Sequence, residues 1–165
     1  MRRKDREMSA EFAWEVIDRS EYLTIAMVDE NGMPYCVPVT TIRIGETLYF
    51  HCAKAGRKID ILRQNPRVCV SCVGNTNIMK DQFTTEFESA VLFGTASEVT
   101  DQAEMIEALR ALCGHHVPTN MHNFDMEIAR SLPRTAMWRI DVESITGKRK
   151  KFDKDGKEMT YGRME

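Results

Sequence analysis

A chain of 165 residues is the size of one compact domain, and a domain of that size buries enough surface to need no disulfide staples. Hydrophobic residues make up 42% and charged residues 29%, a globular balance. The formal net charge of -2 argues against a dedicated nucleic-acid binder, because neutralising phosphates needs a basic surface.

The short basic runs Arg2-Arg3-Lys4 and Lys148-Arg149-Lys150-Lys151 read as solvated tails. No apolar run is long enough to span a membrane, and the basic N-terminus leads into polar residues, so no secretory leader is expected. The five cysteines are an odd number and sit mostly in apolar, strand-like runs. That pattern fits buried thiols and a cytoplasmic location.

Ser9 is placed to cap a first helix, with Phe12, Val16 and Ile17 at helical spacing. From Tyr22 the period changes to that of a strand, and Asn31-Gly32 signals a hairpin. Tyr35 to Ile44 is the returning strand, and its Pro38 belongs at an edge or a bulge, because proline cannot donate to a ladder. Thr47 to Ala53 completes a meander. Gly56 breaks it, and Arg57 to Gln64 forms a short helix ended by Asn65-Pro66.

Val68 to Val73 is a fourth strand, Gly74 to Gln82 a polar loop, and Thr85 to Thr100 a long strand that Gly94 bends. Asp101 and Glu104 form a capping box for a helix carrying Met105, Ile106, Leu109 and Leu112 on one face. A loop with His115, His116 and Pro118 leads to a short helix bearing Phe124, Ile128 and Leu132. Thr135 to Ile145 is the last strand. The expectation is an α+β barrel of six mostly antiparallel strands with flanking helices. It forms a single domain over residues 1–150, followed by a loosely held polar tail over 151–165.

The richest chemistry lies in Tyr49-Phe50-His51-Cys52-Ala53-Lys54-Ala55-Gly56-Arg57-Lys58. A strand delivers His51 and Cys52 to its end, a turn of small residues follows, and a helix opens with two cations. Free N–H groups at a helix start attract anions, and Arg57 and Lys58 add full charges there. Ala53, Ala55 and Gly56 let a ligand approach the backbone, which favours a phosphate site over a plain turn with solvated cations.

Two other constellations read as structural. Cys113, His115, His116 and His122 could bind a transition metal, but their spacing matches no standard pattern, and a polar interhelical loop is the preferred reading. Cys69 and Cys72 have CxxC spacing, yet in a strand they face opposite sides. Trp14, Trp138 and Tyr49 are assigned to packing.

Taken in order, Pro34-Tyr35-Cys36-Val37-Pro38-Val39, then Leu48 to Lys58, then Asn65-Pro66-Arg67-Val68-Cys69, then Ser89-Ala90-Val91-Leu92-Phe93-Gly94-Thr95-Ala96, the sequence resembles the pyridoxamine 5′-phosphate oxidase-like FMN-binding split-barrel superfamily. Within it the chain looks most like the nitroimidazole-resistance group. The resemblance implies a homodimer with FMN at the subunit interface. It implies that the strand with Val37, Pro38, Val39, Thr40 and Thr41 borders the isoalloxazine through backbone groups. The turn of His51, Cys52 and Ala53, with Arg57 and Lys58, would hold the phosphate, and Ser89 would approach the ring or the phosphate.

His51 is the expected proton donor or substrate contact in reduction of a small electron acceptor of nitroaromatic type, since histidine titrates near neutral pH. No metal is implied. The dedicated vitamin B6 oxidases end in an Arg-x-His substrate segment, which Gly162-Arg163-Met164-Glu165 does not match. A flavin-binding module without turnover, and a haem protein on the same fold, stay open as alternatives.

Overall fold

The computed structural model describes residues 2–161. Among them are eight strands and four α-helices. The strands are β1 (Glu7–Met8), β2 (Leu23–Val28), β3 (Pro34–Val39), β4 (Ile42–Ile44), β5 (Thr47–Ala53), β6 (Arg67–Met79), β7 (Thr84–Glu98) and β8 (Thr135–Lys150). The helices are α1 (Ala10–Arg19), α2 (Arg57–Gln64), α3 (Gln102–His116) and α4 (Phe124–Ser131). No helix among the described residues is long and apolar enough to cross a membrane.

All pairings are antiparallel, in the order β3-β2-β6-β7-β8-β5-β4, with β1 on β8. This order forces the sheet to curl. Laid flat, β3 and β4 would be six strand spacings apart, about 29 Å. Only Thr40 and Thr41 join them, and the chain from Val39 to Ile42 reaches no more than about 11 Å. The two edges must therefore approach each other, and the sheet becomes a half-barrel that is closed by a backbone crossover but not by a ladder.

The core follows strand alternation. Leu23, Ile25 and Met27 of β2, Val68 and Val70 of β6, and Leu92 of β7 turn inward against Phe50 and Trp138. α1 covers one end with Ala13, Val16 and Ile17. A second cluster lies outside the barrel, where Tyr49 and Met137 pack under Leu109 of α3 and Phe124 of α4. β5 thus serves both cores, Phe50 on one face and Tyr49 on the other. The sheet bends where expected: register slips between Phe93 and Gly94. A Cβ at Gly94 would lie 2.4 Å from the Asp141 carbonyl oxygen, so only glycine permits that approach.

The structure corrects four expectations. The barrel has eight strands, not six, partly because the strand read as Tyr35 to Ile44 is broken at Thr40-Thr41 into β3 and β4. The segment read as a polar loop, Gly74 to Gln82, extends β6 to Met79, past a register shift between Val73 and Thr76. Cross-strand partners in β7 complete this ladder despite the polar composition, as tertiary pairing outweighs strand propensity.

The basic run at Lys148 is not a solvated tail but the end of β8, whose Arg149 lies 3.4 Å from the buried carboxylate of Glu88. His115 and His116 close the last turn of α3, where imidazole suits the carbonyl end, and do not sit in a loop. Beyond β8, Glu158 pairs with Arg6, and the Tyr161 amide donates to the Asp5 carbonyl. Gly162-Arg163-Met164-Glu165 lie outside the described residues.

Candidate functional site

The start of α2 sets its two cations against β3 and β5. The β4–β5 register pairs Ile42 with Tyr49. Pro38 lies on the exposed outer side of edge strand β3, where its missing N–H breaks no interior ladder, and Val39 is buried in the core. Thr41 is buried, and its carbonyl accepts a hydrogen bond from His116 Nε2 at 2.9 Å.

α2 begins unlike its neighbours. Ser9 Oγ accepts from the Phe12 amide at the start of α1, and the Asp101 carboxylate accepts from the Glu104 amide at the start of α3. At α2 the capping residue is Gly56, which has no side chain to offer. Its φ of +135° is open to glycine and strained for other residues, and a Cβ there would meet open space. First-turn amides thus lack a side-chain acceptor. Beside them the Arg57 guanidinium lies 4.7 Å from the Tyr35 ring centroid and 3.9 Å from an Asp29 carboxylate oxygen. Lys58 Nζ stands 5.3 Å from the Phe50 ring centroid. Arg57 is exposed and its ion pair is long, so the cation is available to a stronger anion.

His51 and Cys52 diverge. His51 shares a face with Tyr49 and lines a cavity of about 200 Å³ with Leu112, Cys113, Met121, Phe124 and Ile128. Its ring has no hydrogen-bond partner among the described residues and stays reachable from solvent. Crowding by the surrounding protein lowers its pKa, and the Lys58 ammonium lowers it further. The ring is therefore neutral at neutral pH. Cys52 turns to the barrel side, against the core that contains Phe50. Burial raises its thiol pKa, against the opposing pull of Lys58. Burial likewise raises Cys69, Cys72 and Cys113, so these sulfurs stay protonated and unreactive.

Arg57 over Tyr35 and Lys58 over Phe50 tie the start of α2 to β3 and β5, the strands that carry Pro38, Val39, His51 and Ala53. Ser89 does not join them. It sits on β7 between Val73 and Lys148, separated from β3 by β6 and β2. Cys69 and Cys72 face opposite sides of β6, the first half-buried and the second in the core. The histidines disperse: His116 is held by Thr41, and His122 faces the Asn123 amide. Among the described residues no three His, Cys, Asp or Glu side chains converge as a metal site would require.

Sequence reasoning missed a polar cleft of about 460 Å³ lined by Arg19, Tyr22, Ser71, Val73 and Asn75. Two of its lining residues are held by the buried Glu88 carboxylate, which accepts from Asn75 at 3.1 Å and pairs with Arg19 at 3.3 Å. The one available signal was Glu88 at an inward position of an apolar strand.

A curled antiparallel half-barrel, with its edges joined by two residues and a cation-bearing helix start beside them, defines the split-barrel class. The chain belongs to the pyridoxamine 5′-phosphate oxidase family, whose description it matches over residues 9–149. A search of curated proteins finds no match.

Solved structures share the fold at low identity. One is described as a 5-nitroimidazole antibiotic resistance protein from Bacteroides thetaiotaomicron (22% identity, 86% of this chain and 85% of that one, TM-score 0.71). Another is an FAD-binding protein from Mesorhizobium loti (23%, 87% and 96%, 0.66). A third is an FAD and haem binding protein from Mycobacterium smegmatis (20%, 96% and 84%, 0.74).

Proposed function

We propose that the protein is a cytoplasmic, homodimeric FMN-binding oxidoreductase that reduces a small acceptor of nitroaromatic type. The observation that carries this reading is the start of α2, where an uncapped helix, a glycine open to ligand approach and two cations suit a phosphate monoester. Membership of the family and the FAD-binding neighbours support a flavin as the phosphate's bearer. Flavin supplies the electron transfer when bound, while the chain supplies binding, orientation and electrostatics.

In this reading Arg57 leaves the weak Asp29 pair for the phosphate, and Lys58 adds a second charge. Thr40 and Thr41 offer crossover backbone to the ring system. His51, neutral and without a partner, presents an imidazole to an acceptor in the adjoining apolar cavity and gives or takes a proton there.

A second subunit is supported by the outer face of the sheet. Outward positions over Thr24–Ala26, Cys36–Pro38, Cys69–Val73 and Val91–Phe93 carry no charge, and Val73 and Phe93 are 62% and 50% exposed. Such a face favours burial against another copy. That copy could also bring Ser89 to a flavin its own corner does not reach.

The visible spectrum of freshly purified protein tests the proposal. Paired flavin bands that bleach anaerobically with NADH or NADPH are expected. Flavin bands that never bleach would reduce the protein to a binding module, and a Soret band without flavin would replace the reading with haem.

A further inference from the structure

We propose that His116 is a positioning residue for the flavin, acting through the Thr40-Thr41 crossover; the inference rests on the flavin reading above. It starts from a backbone accounting problem. β3 ends at Val39 and β4 begins at Ile42, at opposite edges of the sheet. The two residues between them belong to no ladder, so their amides and carbonyls have no strand partner. Buried backbone groups must nevertheless be paired.

Thr41 is buried, and its carbonyl finds its partner in a side chain 75 residues away, His116 Nε2 at 2.9 Å. A carbonyl can only accept, so Nε2 carries the proton and the tautomer is fixed. His116 is itself held. It occupies the last turn of α3, and the next amide, Val117, is tied back to Cys113. On the other side of the crossover, Arg43 of β4 is clamped to Asp18 of α1, with its Nε at 2.8 Å from the carboxylate.

The crossover is thus gripped from two directions, and only the α3 grip acts on the backbone at Thr41. With that carbonyl turned to α3, the orientation of the Thr41–Ile42 peptide plane, at the exit of the crossover, is set. Losing the hydrogen bond frees the peptide to rotate, and a flavin ring bordered by it loses defined partners. The barrel core makes no use of His116, so the effect falls on the ligand before it falls on the fold.

The full-length protein is titrated with FMN, following flavin fluorescence and the visible difference spectrum, for wild type, His116→Ala, His116→Gln and His115→Ala. Gln places an amide donor near the position of Nε2. The Ala variant at 116 should bind FMN about three- to tenfold more weakly, the effect of one hydrogen bond, with bands shifted towards free flavin. The Gln variant should recover both, and His115→Ala should match wild type.

Wild-type affinity and spectrum in His116→Ala would overturn the inference and leave the flavin reading intact. Failure of the wild type to bind FMN would overturn the flavin reading, and the inference with it. Should His116→Ala unfold, His116→Leu fills the space without a donor and is compared with Gln. Equal binding by Leu and Gln would overturn the hydrogen-bond role.

Discussion

The chain passes from strand to helix at two comparable places, β5 into α2 and β7 into α3, and finishes them differently. At α3 the Asp101 carboxylate accepts the Glu104 amide at 3.0 Å, so the helix start carries its own anion. At α2 the equivalent position is Gly56, the first turn holds Arg57 and Lys58, and no side chain caps it. A helix start attracts negative charge in either case. Both first turns carry an acidic residue, Glu104 in α3 and Asp60 in α2, but only at α3 does a carboxylate cap a first-turn amide.

The largest effect expected from breaking this comparison is at the cations. Arg57→Ala and Lys58→Ala should each weaken FMN by about 10- to 100-fold, since a charged hydrogen bond contributes about 1.5–3 kcal/mol. The double variant should bind FMN no better than riboflavin in a fluorescence titration. Next comes Gly56→Ala. Its Cβ meets open space, so the cost is the backbone's, about 1–3 kcal/mol for a residue held in a glycine-only region. Denaturant melts should show that loss, and relaxation of the turn should also reduce FMN binding.

Asp101→Ala sharpens the comparison from the other side. It should lower stability by about 1 kcal/mol, the usual contribution of a cap, and leave FMN affinity unchanged. A smaller effect links the α2 junction to His51. The His51 pKa is lowered mainly by burial and further by the Lys58 charge. A phosphate on Lys58 offsets that charge, so FMN should raise the His51 pKa, read from its imidazole proton shifts by NMR.

The same shift has a sign for stability. A histidine whose folded pKa lies below its unfolded value binds fewer protons when folded. Its contribution is complete above the unfolded pKa, near 6.5, and is lost as pH falls through that value and on to the lower folded one. The ligand-free protein should therefore lose stability on acidification across that window. His51→Gln should flatten the dependence.

Much of this was legible in the sequence, for local reasons. Ser9 and Asp101 announce their helices because capping chemistry is written within four residues, and Asn31-Gly32 announces its hairpin. The β5–α2 junction was legible too, since its turn of small residues and the two cations that open the helix are contiguous in the chain. What escaped was long-range. Nothing near Gly74 tells that β6 continues to Met79, because the partner that stabilises it, Thr84 onward in β7, supplies the ladder. The break at Thr40-Thr41 was invisible because it follows from barrel closure, not from residue type. The divergence of His51 and Cys52 follows from strand alternation, but which face met α3 and α4 had to await their packing.

The central claim is that the helix start with two cations and no side-chain cap is built for a phosphate. The most direct test is the affinity of the wild-type protein for FMN against riboflavin, which differ only in that group. Two charge-assisted contacts predict that FMN binds at least about 100-fold more tightly. Equal affinities would show that the start of α2 holds no phosphate and would contradict the account.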